Sequence, residues 1–188
     1  MRDFIGYWKG AFGLMMLVLM GCVSRGDLMR EGADLLPELI VERLSWMDEV
    51  AMVKRVQGLP VADGVREAAL LDAMEVLGAD VGLSSGVVRS FFSGQIRAAK
   101  VFQEEWLKAS SGSRVGVGAL PDLGKTVRPE LDAIGRRMIA ALAKSRESGR
   151  ALEILRASRE RLIREGYSQG VIEAVIEGLA GGLSVPPV

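Results

Sequence analysis

Apolar residues recur along this chain at helical spacing, and the periodic stretches break at glycine, proline and serine. From Leu35 to Val56 the apolar positions keep a period near 3.6, which predicts one helix with Pro37 near its start, where proline is tolerated. Gly58-Leu59-Pro60 ends it. A second helix is predicted over residues 63–77, with Asp63 as N-cap and Gly78 as its stop. Ser84 or Ser85 opens a third that runs to about Ala109, with the stripe Val88, Phe91, Phe92, Gln95, Ala99, Phe102, Gln103 and Trp106. Residues 110–125, SSGSRVGVGALPDLGK, read as a flexible connection. A fourth helix is expected over Pro129 to Arg146 and a fifth over Ala151 to Arg164, stopping at Gly166. Ser168 caps a sixth, which is expected to fray at Gly181-Gly182. No strand-like alternation competes with these stretches, so the fold class is all-α, with about six helices.

The first residues follow a different pattern. Arg2 and Lys9 precede the short apolar run Ala11 to Met20, the form of an export signal. The run is shorter than the roughly 20 apolar residues a membrane span needs. It closes on Leu19-Met20-Gly21-Cys22, which resembles a bacterial lipobox with Cys22 as the lipidated residue. The expected organisation is therefore an export signal over 1–22, a tether over 23–34, a helical domain over 35–183 and a disordered tail over 184–188. The expected location is the periplasm, free or anchored through Cys22.

Composition narrows the chemistry. The 188 residues carry 24 Lys and Arg against 24 Asp and Glu, which argues against a general nucleic-acid binder. There is no histidine, hence no imidazole base or ligand, and the single cysteine lies in the leader. No metal and no cofactor is expected. Arginine, lysine, carboxylates, amides and hydroxyls must carry whatever chemistry occurs.

The informative residues are polar ones within apolar stripes: Arg43, Lys54, Arg66, Gln95, Gln103 and Arg137. Arg43 and Lys54 are eleven residues apart, a spacing that puts both on nearly one face of a helix beside Trp46, Met47, Val50 and Val53. A buried cation needs an anionic partner, because desolvating it alone is costly. Each of these residues taken singly could be satisfied by a neighbouring carboxylate or carbonyl. Several cations converging on one helical cavity point instead to a pocket for a small dianion such as a dicarboxylate, held by arginine forks.

The spacings Arg43 to Lys54, Lys54 to Arg66 and Arg66 to Gln103, with the segment FFSGQIRAAKVFQ over residues 91–103, resemble the all-helical chorismate mutases, and within them the secreted subclass. The resemblance covers residues 38–106 and, more loosely, 128–179. It implies conversion of chorismate to prephenate by a [3,3] rearrangement, with no proton transferred and no covalent intermediate. It implies that Arg43, Arg66 and Arg137 hold the two carboxylates, with Arg136 as the alternative to Arg137. Lys54 and Gln103 would donate to the ether oxygen, and Glu67 and the backbone near Asp63 would meet the ring hydroxyl. Ala99 stands where relatives often carry Ser or Thr. Some secreted relatives use a disulfide that this chain, with one cysteine, lacks. Cytosolic relatives borrow an arginine from a partner subunit; the matching position here is Gly26, which favours a site complete within one chain of a homodimer. Two readings stand beside this one: an isochorismate-pyruvate lyase on a related scaffold, and an exported helical protein that binds a dianion without turnover.

Overall fold

The structure is a computed structural model; it describes residues 25–111 and 120–184, with side chains from Asp34 onward. The expected export signal, Cys22 and nearly all of the expected tail lie outside the described residues, as do residues 112–119 of the connection. The described residues form seven α-helices: α1 (Arg25–Ser45), α2 (Met47–Gln57), α3 (Gly64–Asp80), α4 (Ser85–Ala109), α5 (Arg128–Glu147), α6 (Ala151–Arg164) and α7 (Gln169–Leu183). One five-residue π-turn, Leu123–Val127, leads into α5. The all-α expectation holds, and several boundaries differ from it.

The first expected helix divides at Trp46 into α1 and α2. The helix also begins at Arg25, so the stretch expected as a tether is helical from that residue and Pro37 falls inside α1 rather than near its start. Gly78 does not stop α3. It is buried inside the helix, where a Cβ would overlap the side chain of Val88, and the left-handed residue that turns the chain is Gly82, at φ 77°. The end of the connection is ordered by Asp122, whose carboxylate accepts from the N–H groups of Gly124 (2.7 Å) and Lys125 (2.9 Å).

α7 does not fray at its glycines. Gly178 meets Gly94 of α4 backbone to backbone, and Gly182 lies against the ring of Phe91. Small residues let α4 and α7 approach closely, and this is the most extensive helix pairing among the described residues. α1 packs on α5 and α6, while α3 lies across α4 and α5. The core between them holds Leu36, Leu39, Ile40, Leu44, Phe91, Phe92, Met138, Leu142, Leu162 and Leu179, all essentially inaccessible to water. Phe91 and Phe92 meet edge-on, ring centres 5.1 Å apart. This frame leaves one end of α1 to α5 free to converge.

Candidate active site

At that end a cavity of about 120 Å3 is lined by residues of α1 to α5 and the turns between them. Its apolar wall includes Met47, Val50, Leu70, Ile96, Val127 and Leu131. Its cations are Arg43, Lys54, Arg66, Lys100 and Arg128; its carboxylates are Asp63, Glu67 and Asp132. Five positive groups against three negative ones leave a surplus of two positive charges.

Arg43 enters the cavity from the apolar stripe of α1, four residues after Leu39 and three after Ile40. It is only 6% exposed. Its Nη1 donates to the Leu131 carbonyl at 3.5 Å, and its Nε is buried with no protein partner. Burial pushes its guanidinium down to about 10; Asp132 opposes that shift and Arg66 adds to it. The group is still cationic near neutral pH, and an anion beside it would push it back up.

Lys54, on α2, donates to the Val61 carbonyl at 2.6 Å. Burial is the main cause that lowers its ammonium from the ordinary lysine value, with Asp63 and Glu67 acting against it and Arg128 and Lys100 with it. The lysine has two further N–H donors.

The first turn of α3 is fixed by two reciprocal bonds. Asp63 accepts from the Arg66 N–H at 3.1 Å, and Glu67 Oε1 accepts from the Asp63 N–H at 3.2 Å. This is a capping box closed one residue later than usual. The Arg66 side chain pairs with Asp132 of α5, which explains why an arginine is stable in a helix's first turn. Asp63 Oδ2 faces Arg128 at 3.6 Å.

α4 presents Ile96, Ala99, Lys100 and Gln103 to the cavity, at the i, i+3, i+4, i+7 spacing of one helix face. Gln103 is 4% exposed. Its amide nitrogen donates to the Ala99 carbonyl at 3.0 Å and lies 3.6 Å from the Met47 sulfur, while its amide oxygen has no protein partner. A thioether is a weak acceptor, so the second N–H is available to a better one.

The cavity therefore brings together Arg43, Lys54, Asp63, Arg66, Glu67, Ala99 and Gln103 of the residues singled out in the sequence. It does not bring Arg137, which is 56% exposed and pairs with Glu42 at 2.7 Å. Nine residues separate Arg137 from Arg128, which rotates it to the opposite side of α5. Arg136 is exposed too and lines no part of the cavity. Gln95 also lies elsewhere, fully buried in α4, and neither of its amide atoms has a protein partner.

Three charged lining residues escaped sequence reasoning. Lys100 could have been found from its shared face with Ile96, Ala99 and Gln103. Arg128 and Asp132 follow a connection with no helical period, so no register carried over to them from α4.

Such a cavity can hold a small dicarboxylate and stabilise charge on it, and the class it points to is an all-helical protein with a cavity suited to a dianion. Comparison with known proteins makes the class specific. Residues 34–104 match the family model of chorismate mutase type II. Among solved structures, the chain is similar to a chorismate mutase from Burkholderia thailandensis at 29% identity, covering 81% of this chain and 97% of that one, with a TM-score of 0.65. It is similar to one from Burkholderia phymatum at 20% identity, covering 83% and 96%, with a TM-score of 0.67. It is likewise similar to a secreted chorismate mutase from Yersinia pestis at 21% identity, covering 78% and 96%, with a TM-score of 0.68. No curated protein gives a significant match. Residues 34–104 thus carry the pattern of the chorismate mutase type II family, whose reaction is the isomerisation of chorismate to prephenate.

Proposed function

We propose that this protein is an exported chorismate mutase whose site is the cavity between α1 and α5. The observation that carries the reading is the surplus of two positive charges among apolar walls, which equals the charge of the two carboxylates of chorismate. Arg43 and Arg66 hold these carboxylates together with Arg128, which takes the place first given to Arg137. Lys54 and the Gln103 N–H that otherwise faces the Met47 sulfur donate to the ether oxygen as its bond breaks. Glu67 and the start of α3 at Asp63 receive the ring hydroxyl. Ala99 contributes its carbonyl, which orients the Gln103 amide, rather than a side chain.

The magnitudes are sufficient. A million-fold acceleration needs about 8 kcal/mol. One preorganised donor in a water-poor site contributes about 3–4 kcal/mol to the transition state, so two donors and a held chair conformation reach that scale.

Export rests on the leader with its charged start, short apolar run and Cys22, and anchoring through Cys22 is the finer form of that proposal. Intact mass of membrane and soluble fractions tests it; unprocessed protein in the cytoplasm would sink it. The domain is proposed to span residues 35–183, and the active protein to be a homodimer with a complete site in each chain.

The deciding experiment follows chorismate and isochorismate consumption side by side. Conversion of chorismate to prephenate supports the mutase. Pyruvate released from isochorismate would point to the lyase, and binding of chorismate without turnover to a binding protein.

A further inference from the structure

Of the three carboxylates in the cavity, two are committed elsewhere. Asp132 is the counter-ion of Arg66 and the main attraction on buried Arg43, while Asp63 caps α3 with one oxygen and faces Arg128 with the other. Glu67 is the remaining acceptor, and both its oxygens are held by donors from different elements. Oε1 accepts from the Asp63 N–H at 3.2 Å, and Oε2 accepts from Lys100 Nζ of α4 at 3.0 Å. The Lys100 and Glu67 side chains are half-buried, at 33% and 26% exposure. An ion pair so placed is less screened than a surface pair and fixes the carboxylate between two helices.

We propose that Lys100 is a positioning residue that clamps the Glu67 carboxylate so that its remaining lone pairs accept a hydroxyl hydrogen bond from the ring of the substrate. This rests on the reading of Glu67 as the hydroxyl acceptor. A glutamate free to rotate would point away from a bound dianion, because like charges repel. The lysine removes that escape, and its charge offsets that of the glutamate beside the substrate. The consequence is specificity: Lys100 favours a ring with a hydroxyl over the same ring without one.

The test compares chorismate with an analogue lacking the ring hydroxyl, and its readout is the ratio of the two kcat/KM values. Losing the charge of Lys100 weakens both dianions alike and cancels in the ratio; losing the orientation of Glu67 does not. Lys100→Met is expected to lower the ratio about tenfold or more, the scale of a hydrogen bond to a charged group. Lys100→Arg should restore most of it, and Lys100→Met with Glu67→Gln should lower it no further than Glu67→Gln alone. Circular dichroism checks folding, with Lys100→Gln as the substitute if the methionine variant does not fold. If Glu67→Gln lowers the ratio while Lys100→Met leaves it unchanged, Lys100 supplies charge only and the clamp is overturned. If Glu67→Gln leaves the ratio unchanged, the reading of Glu67 itself fails and the clamp falls with it.

Discussion

At the scale of single residues, the cavity is lined by donors that keep N–H groups to spare beyond their bonds within the protein. Gln103 holds one N–H on the Ala99 carbonyl and the other near the Met47 sulfur. An amide donates at any ordinary pH, whereas a carboxylic acid donates only while protonated. Gln103→Glu should therefore retain activity on the acid side and lose about tenfold per pH unit once the introduced carboxylate ionises. A profile unchanged from the parent would show that Gln103 does not face the ether oxygen. Lys54 sets the alkaline side. Burial lowers its ammonium in the free protein, and a bound dianion raises it again. The alkaline fall in kcat/KM, which reports the free enzyme, should come at lower pH than the fall in kcat, which reports the complex; a pH series on both constants decides it. The arginines separate in the same way. Arg128 lines the cavity and Arg137 does not, so Arg128→Ala should reduce kcat/KM by about tenfold or more while Arg137→Ala, which breaks an exposed pair, stays within about twofold. The reverse order in steady-state kinetics would place the substrate elsewhere along α5.

At the scale of elements, glycine decides what could be read in advance and what could not. The period of apolar residues gave α3 to α7 within a few residues, because one buried face per helix imposes that period. It also placed Arg43, Arg66 and Gln103 toward the interior, where the cavity holds them. Glycine has two uses that look alike in a sequence: access to positive φ, and absence of volume. Gly82 has the first, Gly78 the second, and the stop was expected at the wrong one. Gly181 and Gly182 were likewise read as fraying, although α7 uses its small residues to reach α4. Arg128 was missed for a related reason, since a stretch without period fixes no register. The packing use has a testable sign. In an exposed helix Gly→Ala gains about 1 kcal/mol. At Gly94 the new Cβ would lie 2.5 Å from the Gly178 Cα and 2.8 Å from the Ala174 carbonyl oxygen, which are backbone and cannot swing aside. Gly94→Ala should therefore lose about 1–3 kcal/mol, as overpacked cores do. Gly86→Ala, in the same helix with open space around it, should gain up to about 1 kcal/mol. Thermal melts of the pair test this, and equal shifts would refute the close approach.

At the scale of the whole molecule, the charges of the cavity come from five helices and the turns between them, all within one chain. Arg43→Ala and Arg128→Ala variants should thus not complement each other when mixed and allowed to exchange subunits. Substantial recovered activity would mean that a site is shared between chains. The two surplus charges also have a cost for turnover. Rearrangement moves bonds inside the ligand and leaves both carboxylates ionised, so prephenate leaves with the charge chorismate brought. A cavity that attracts its ligand by charge cannot tell the two apart by charge, and the product must compete with the next substrate for the same arginines. Prephenate should therefore be a competitive inhibitor with Ki near KM. Added salt, which shortens the Debye length to about 10 Å at 0.1 M, should raise both constants together while leaving kcat nearly unchanged. Progress curves at two ionic strengths measure this, and a Ki far above KM would mean that shape, rather than charge, ejects the product.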